Sequence, residues 1–148
     1  LSNSSVVGYL FHLYIDRRFF KDYMPRIVEF RNVQDEREER RDMVKDVLLK
    51  RTGQRLSKWD FFSEKYYYGD YTKMNMYLVN RYQIPLDLNA QIINPGINEI
   101  QYGNVQQVLD SLHGYLSVTV DAVNDLKVFP LDKLLASLEQ YTIEFLSL

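Results

Sequence analysis

The chain has 148 residues, of which 46% are hydrophobic and 26% charged, with a formal net charge of −2 and no cysteine. That length buries a core without cross-links, the composition is that expected of a soluble globular protein, and the missing thiols exclude disulfides, thiolate zinc sites and cysteine nucleophiles. Aromatic content is high at 14%, and the charge is uneven: residues 1–74 carry 15 Lys and Arg against 12 Asp and Glu, whereas residues 75–148 carry 3 against 8.

Ser4 or Ser5 can cap a first helix, and Val6, Tyr9, Leu10, Leu13, Arg17 and Phe20 keep helical spacing up to Pro25. The apolar stretch from Val6 to Ile15 is interrupted by Gly8 and His12 and falls short of the roughly 20 residues a membrane span needs. No basic residue precedes it and no small-residue cleavage site follows, so no signal peptide is expected either. The compartment is not legible.

Beyond Pro25 lies "DEREERRD", Asp35 to Asp42, every residue charged. Glu36 with Arg40, Glu38 with Arg41, Asp42 with Lys45 and Asp46 with Lys50 stand at ion-pair spacing on a helix. Residues 26–51 are therefore predicted as one long helix, or two joined near Asn32, stopped by Gly53. Ser57 begins the next, with Asp60 three residues on in a variant of the capping box. That helix is expected to close at Gly69, and Asp70 to cap a further one from Tyr71 to about Tyr82, ahead of Pro85.

Residues 85–103 change character, with a turn at Asn94-Pro95-Gly96 and a small β-hairpin as one option around it. Asn104 is read as the cap of a helix whose face runs from Val105 to Leu126, and Pro130 as the first turn of a last helix with Leu131, Leu134, Leu135, Leu138, Tyr141, Phe145 and Leu146 on one face. The two are expected to pack antiparallel. The expected fold is an all-α bundle of five or six helices with one irregular segment, as a single domain over residues 1–148, with residues 1–55 as a protruding arm in one variant.

Chemistry-bearing patterns are sparse. His12 with Asp16, and Asp110 with His113, share helix faces and would need more acids to hold a metal. No serine lies in a strained nucleophile turn and no glycine-rich loop exists for phosphate. No catalytic, cofactor-binding or metal residue is assigned, and no cofactor is expected.

The remaining feature is "KWDFFSEKYYYGDY", Lys58 to Tyr71. On one helix, Trp59, Phe62 and Tyr66 make a stripe, with Phe61 and Tyr68 on another side. Such a helix is too apolar for a free surface, so Trp59, Phe61, Phe62, Tyr66, Tyr67, Tyr68 and Tyr71 are read first as core or subunit interface. A stacking surface for bases or a small-ligand pocket are the other readings. The leading expectation is a non-enzymatic structural or interaction protein, a subunit of a homo-oligomer or larger assembly, whose partner is itself or another protein. The alternative is a nucleic-acid packaging or coat-type protein, with Arg17, Arg18, Lys21, Arg40, Arg41, Lys45, Lys50, Arg51, Arg55 and Lys58 on phosphates. Asp60, Glu64 and Asp70 among the aromatics count against it. A small helical enzyme or metal carrier is the third.

Overall fold

The computed structural model describes residues 4–86, Ile97 and residues 102–148. Helix α1 (Ser4–Arg18) runs into a π-helical turn, Phe19–Tyr23, and then into the short α2 (Met24–Ile27). Pro25 does not stop this course, for a local reason. At the end of the π turn the N–H of Met24 donates to the carbonyl of Phe19, five residues back. The α-helical ladder is thus already broken when the chain reaches Pro25, which lies in the first turn of α2, where a missing N–H is harmless. The turn buries Phe19 and Tyr23, which stack at 5.5 Å, and leaves Phe20 exposed.

The predicted long helix over residues 26–51 is replaced by sheet, and with it the all-α bundle. Strands β1 (Val28–Arg31), β2 (Asp46–Leu49) and β3 (Arg55–Ser57) form an antiparallel sheet in that order. Val28 pairs with Leu49, Phe30 with Val47, and Val47 with Leu56. Magnitudes decide the outcome. Helical ion pairs on a solvated face are worth about 0.2–0.5 kcal/mol each. Strand alternation instead buries Val28, Val47, Leu49 and Leu56, at about 1.5–3 kcal/mol per side chain. The charged run becomes the β1–β2 connection. Asn32 Oδ1 accepts from the N–H groups of Gln34 and Glu36 at 2.9 and 3.0 Å, and Asp35 takes a left-handed φ of 64°. None of the four expected helical ion pairs is among those of the described residues. The charges pair within β1 and with its connection instead: Arg31 and Arg37 both on Glu29, at 2.5 and 3.3 Å, and Arg55 of β3 on Asp35. Gly53 closes the β2–β3 turn with φ 71°, a conformation that glycine adopts without steric cost.

The Ser57 cap stands as expected: its Oγ accepts from the N–H of Asp60 at 3.0 Å and its hydroxyl donates to the Asp60 carboxylate at 2.7 Å. Helix α3 (Lys58–Phe61) nevertheless lasts one turn. The chain folds back through residues 62–66, and α4 (Tyr67–Tyr82) starts before Gly69 rather than after it. Gly69 is not a stop signal. It sits where the carbonyl of Glu64 crosses the helix, and a Cβ there would lie 1.8 Å from that oxygen. Asp70 does not cap α4 from outside; it is fully buried in its first turn.

Helix α5 (Tyr102–Tyr115) ends well before Leu126, and a 3-10 segment, Val120–Asp125, follows. The β-branched run from Val118 to Val120 crowds an α-helix at χ1 and disfavours its continuation. The 3-10 segment packs on α4, with Lys73 Nζ on Asp125 at 2.8 Å. Helix α6 (Leu131–Leu146) buries Leu134, Leu135 and Tyr141 as expected, while Leu146 is exposed. Among the described residues it lies along α1 and the π turn rather than α5. Phe145 meets Phe11 and Tyr14 at 5.1 and 5.5 Å, and Glu144 accepts from Arg18 at 3.0 Å. The hairpin considered around residues 92–100 lies outside the described residues, apart from Ile97. No helix of the described residues is long and apolar enough to cross a membrane.

Candidate binding cleft

The π turn, the β1–β2 connection and the first turns of α4 do not close on one another. Between them is a cleft of about 900 Å³, near the upper end of the range usual for small-molecule sites. Ile15, Phe19 and Phe20 reach it from α1 and the π turn, Phe30 from β1, Phe62 from the turn after α3, and Tyr67, Tyr68 and Tyr71 from α4, with Leu134 and Leu138 of α6 beneath.

The aromatic wall is a packed cluster. Phe62 meets Tyr67 edge-on at 5.2 Å, Tyr67 and Tyr71 are 4.7 Å apart, and Tyr71 stacks on Phe129 at 5.5 Å. The hydroxyls of Tyr67 and Tyr71 share a hydrogen bond of 2.5 Å. Burial pushes both phenols above the ordinary tyrosine range, and for Tyr67 the bond to Tyr71 adds to it. Tyr67 and Tyr71 are therefore neutral at ordinary pH, and they supply apolar faces with a polar edge.

Charge is confined to the rim. Lys21 pairs with Glu39 at 3.5 Å and Arg37 with Glu29 at 3.3 Å. Glu38 accepts from the N–H groups of Arg40 and Glu39, each at 3.0 Å, and its carboxyl is held below the usual range by these bonds and by the charge of Arg40. Asp16 faces His12 at 3.4 Å. Arg41 differs: its guanidinium lies 5.2 Å from the centre of the Phe62 ring and, among the described residues, meets no carboxylate.

The aromatic residues singled out in the sequence divide into three groups. Phe61, Tyr66 and Tyr67 are core, with Phe61 fully buried and Tyr67 also part of the cleft wall. Phe62, Tyr68 and Tyr71 line the cleft, with Tyr68 and Tyr71 partly open to solvent. Trp59 stands apart, 81% exposed on α3, with Lys58 Nζ 5.7 Å from its ring. The expected stripe of Trp59, Phe62 and Tyr66 does not form, because α3 ends before Phe62.

The basic candidates are largely engaged within the chain. Arg18 pairs with Asp22 and Glu144, Lys21 with Glu39, Arg40 with Glu38, and Arg55 with Asp35 and Asp46. Lys50 donates to the Pro25 carbonyl, Arg51 to those of Leu126 and Lys127, and Lys58 to that of Arg41. Arg17 and Lys45 are exposed, on separate elements. Among the described residues no group of three or more His, Asp or Glu stands at metal-binding distance.

Sequence reasoning missed Phe19, Phe20 and Phe30 as cleft residues. The adjacent pair Phe19-Phe20 was a usable signal, since two neighbouring aromatics on a helix point to different faces and a π turn rotates them further. Comparison with family models, curated proteins and solved structures finds no match for this chain.

Proposed function

We propose that this is a non-enzymatic binding protein that takes an apolar guest in the cleft between the π turn and α4. The carrying observation is an aromatic-lined space of about 900 Å³ opening beside a β-connection whose Arg37 and Glu39 are paired with Glu29 and Lys21. The non-catalytic part is supported by that same pairing. A nucleophile needs a base in hydrogen-bond reach, whereas among the groups lining the cleft the Tyr67 and Tyr71 phenols are bonded to each other, and Glu29, Glu38 and Glu39 are held by cations or backbone N–H groups. The neutral dye Nile red should bind with one site per chain, read by its fluorescence. Replacing two of the exposed wall residues, Phe20→Lys with Tyr68→Lys, should weaken it at least about tenfold through desolvation of the new charges. Unaltered dye affinity in that double variant would place the dye elsewhere and remove this reading.

A second reading, association with another protein chain, is favoured by Trp59. An indole 81% exposed on a helix fixed by the Ser57 cap is the residue type that anchors protein interfaces. As the single Trp of the chain, it reports on itself. In dilute protein, acrylamide should quench its fluorescence as freely as that of a solvated indole. If copies associate through it, quenching should fall as protein concentration rises, and Trp59→Ala should remove that dependence. Quenching that stays free up to high concentration limits the association reading to a foreign partner. The nucleic-acid alternative has less support, because so few basic side chains remain uncommitted.

A further inference from the structure

We infer that the cleft takes a small amphipathic anion, an apolar or aromatic body with one carboxylate, whose head pairs with Arg41. This rests on the cleft being the binding site. The apolar body follows from the lining: Phe20, Phe62, Tyr68 and Tyr71 supply rings to it, together with Leu134 and Leu138. The head group follows from the rim, where Glu29, Glu38 and Glu39 already have a cation or backbone donors. Glu29 holds Arg31 and Arg37, Glu38 holds Arg40 and two N–H groups, Glu39 holds Lys21, and Asp16 lies beside His12. The cations Lys21 and Arg37 are spent on those acids, and Arg41 alone among the charged rim residues described has no carboxylate.

It also lies against the wall. Its carbonyl accepts from Lys58 Nζ at 2.6 Å and its guanidinium rests over Phe62, itself a wall residue. A planar fork of N–H donors at the mouth of an apolar space matches a carboxylate bidentately. A cationic head would displace Arg41 from Phe62 and set two cations side by side. An uncharged head would leave the guanidinium without a partner.

Titration calorimetry below micellar concentrations, with decanoate, decanol and decyltrimethylammonium, separates the cases. Decanoate should bind about three- to tenfold more tightly than decanol, with an advantage that shrinks as salt is added, and the trimethylammonium compound should bind most weakly. Arg41→Gln should erase the advantage of decanoate and leave decanol unchanged; the side chain is exposed, so the variant is expected to fold. Equal affinity for decanoate and decanol, or a preference for the cation, overturns the carboxylate assignment while leaving the cleft as the site. Absence of binding by all three overturns both.

Discussion

Gly69→Ala should cost about 3 kcal/mol or more of folding free energy, read as a large drop in the urea midpoint with an unchanged slope. An added Cβ would stand 1.8 Å from the Glu64 carbonyl oxygen and 2.8 Å from its carbon. Both neighbours are backbone, so no side-chain rotation relieves the clash. Moving the turn means parting the Tyr68 N–H from the Ser63 carbonyl at 3.2 Å, and shifting Tyr66 and Tyr67, which are buried on either side of that contact. The control is Gly8→Ala in α1, where nothing lies within 4 Å of the new Cβ. There the same change should stabilise by about 0.5–1 kcal/mol, since alanine is the better helix former. Opposite signs for two helical glycines separate close approach from propensity. A Gly69→Ala protein within 1 kcal/mol of the parent would mean that the turn does not cross α4 as described.

The same glycine shows where the sequence was legible. A glycine after an aromatic helical run is ambiguous: it ends helices, and it also admits a crossing backbone. Local pattern favours the first use, and only the packing of residues 62–66 selects the second. The Ser57 cap was legible because its partner Asp60 is three residues away. The face of α6 was legible because its burial follows a single helical period. The sheet was not. The ion-pair spacing of Glu36 to Lys50 mimics a helix, while the period-two burial of Val47 and Leu49 extends over only four residues of β2. What stabilises that strand is its pairing with Leu56 across the Gly53 turn and with Val28, which is distant in sequence. The cleft was half legible. The run from Phe62 to Tyr71 announced an apolar surface of unknown cover, but the other wall comes from Phe19, Phe20 and Phe30, brought there by a π turn and a strand that no local pattern predicted.

Asp70→Ala should destabilise on a similar scale, about 3 kcal/mol or more, because it strands several backbone donors at once. The Asp70 carboxylate is fully buried at the start of α4 and accepts from three consecutive N–H groups: Lys127 at 2.9 and 3.1 Å, Val128 at 2.7 Å and Phe129 at 3.2 Å. The segment has no strand or helix to take those donors, since the 3-10 segment ends at Asp125 and α6 begins at Leu131. An acid of α4 thus supplies the acceptors that secondary structure would otherwise provide. The consequence reaches the cleft, because Phe129 is 99% buried against Phe19, Tyr67 and Tyr71 and holds the tyrosine wall from behind. Hydrogen exchange at Val128 and Phe129 should therefore accelerate in Asp70→Ala more than exchange in β2, and affinity for an apolar guest should fall although Asp70 does not line the cleft. Asp70→Asn keeps the shape and one acceptor but turns an NH₂ toward N–H donors, so it should lie between the parent and the alanine variant. If Asp70→Asn were as stable as the parent, one acceptor would suffice and the clamp would be mainly steric. If exchange at Val128 and Phe129 rose no faster than in β2, the carboxylate would not be what fixes this segment to α4.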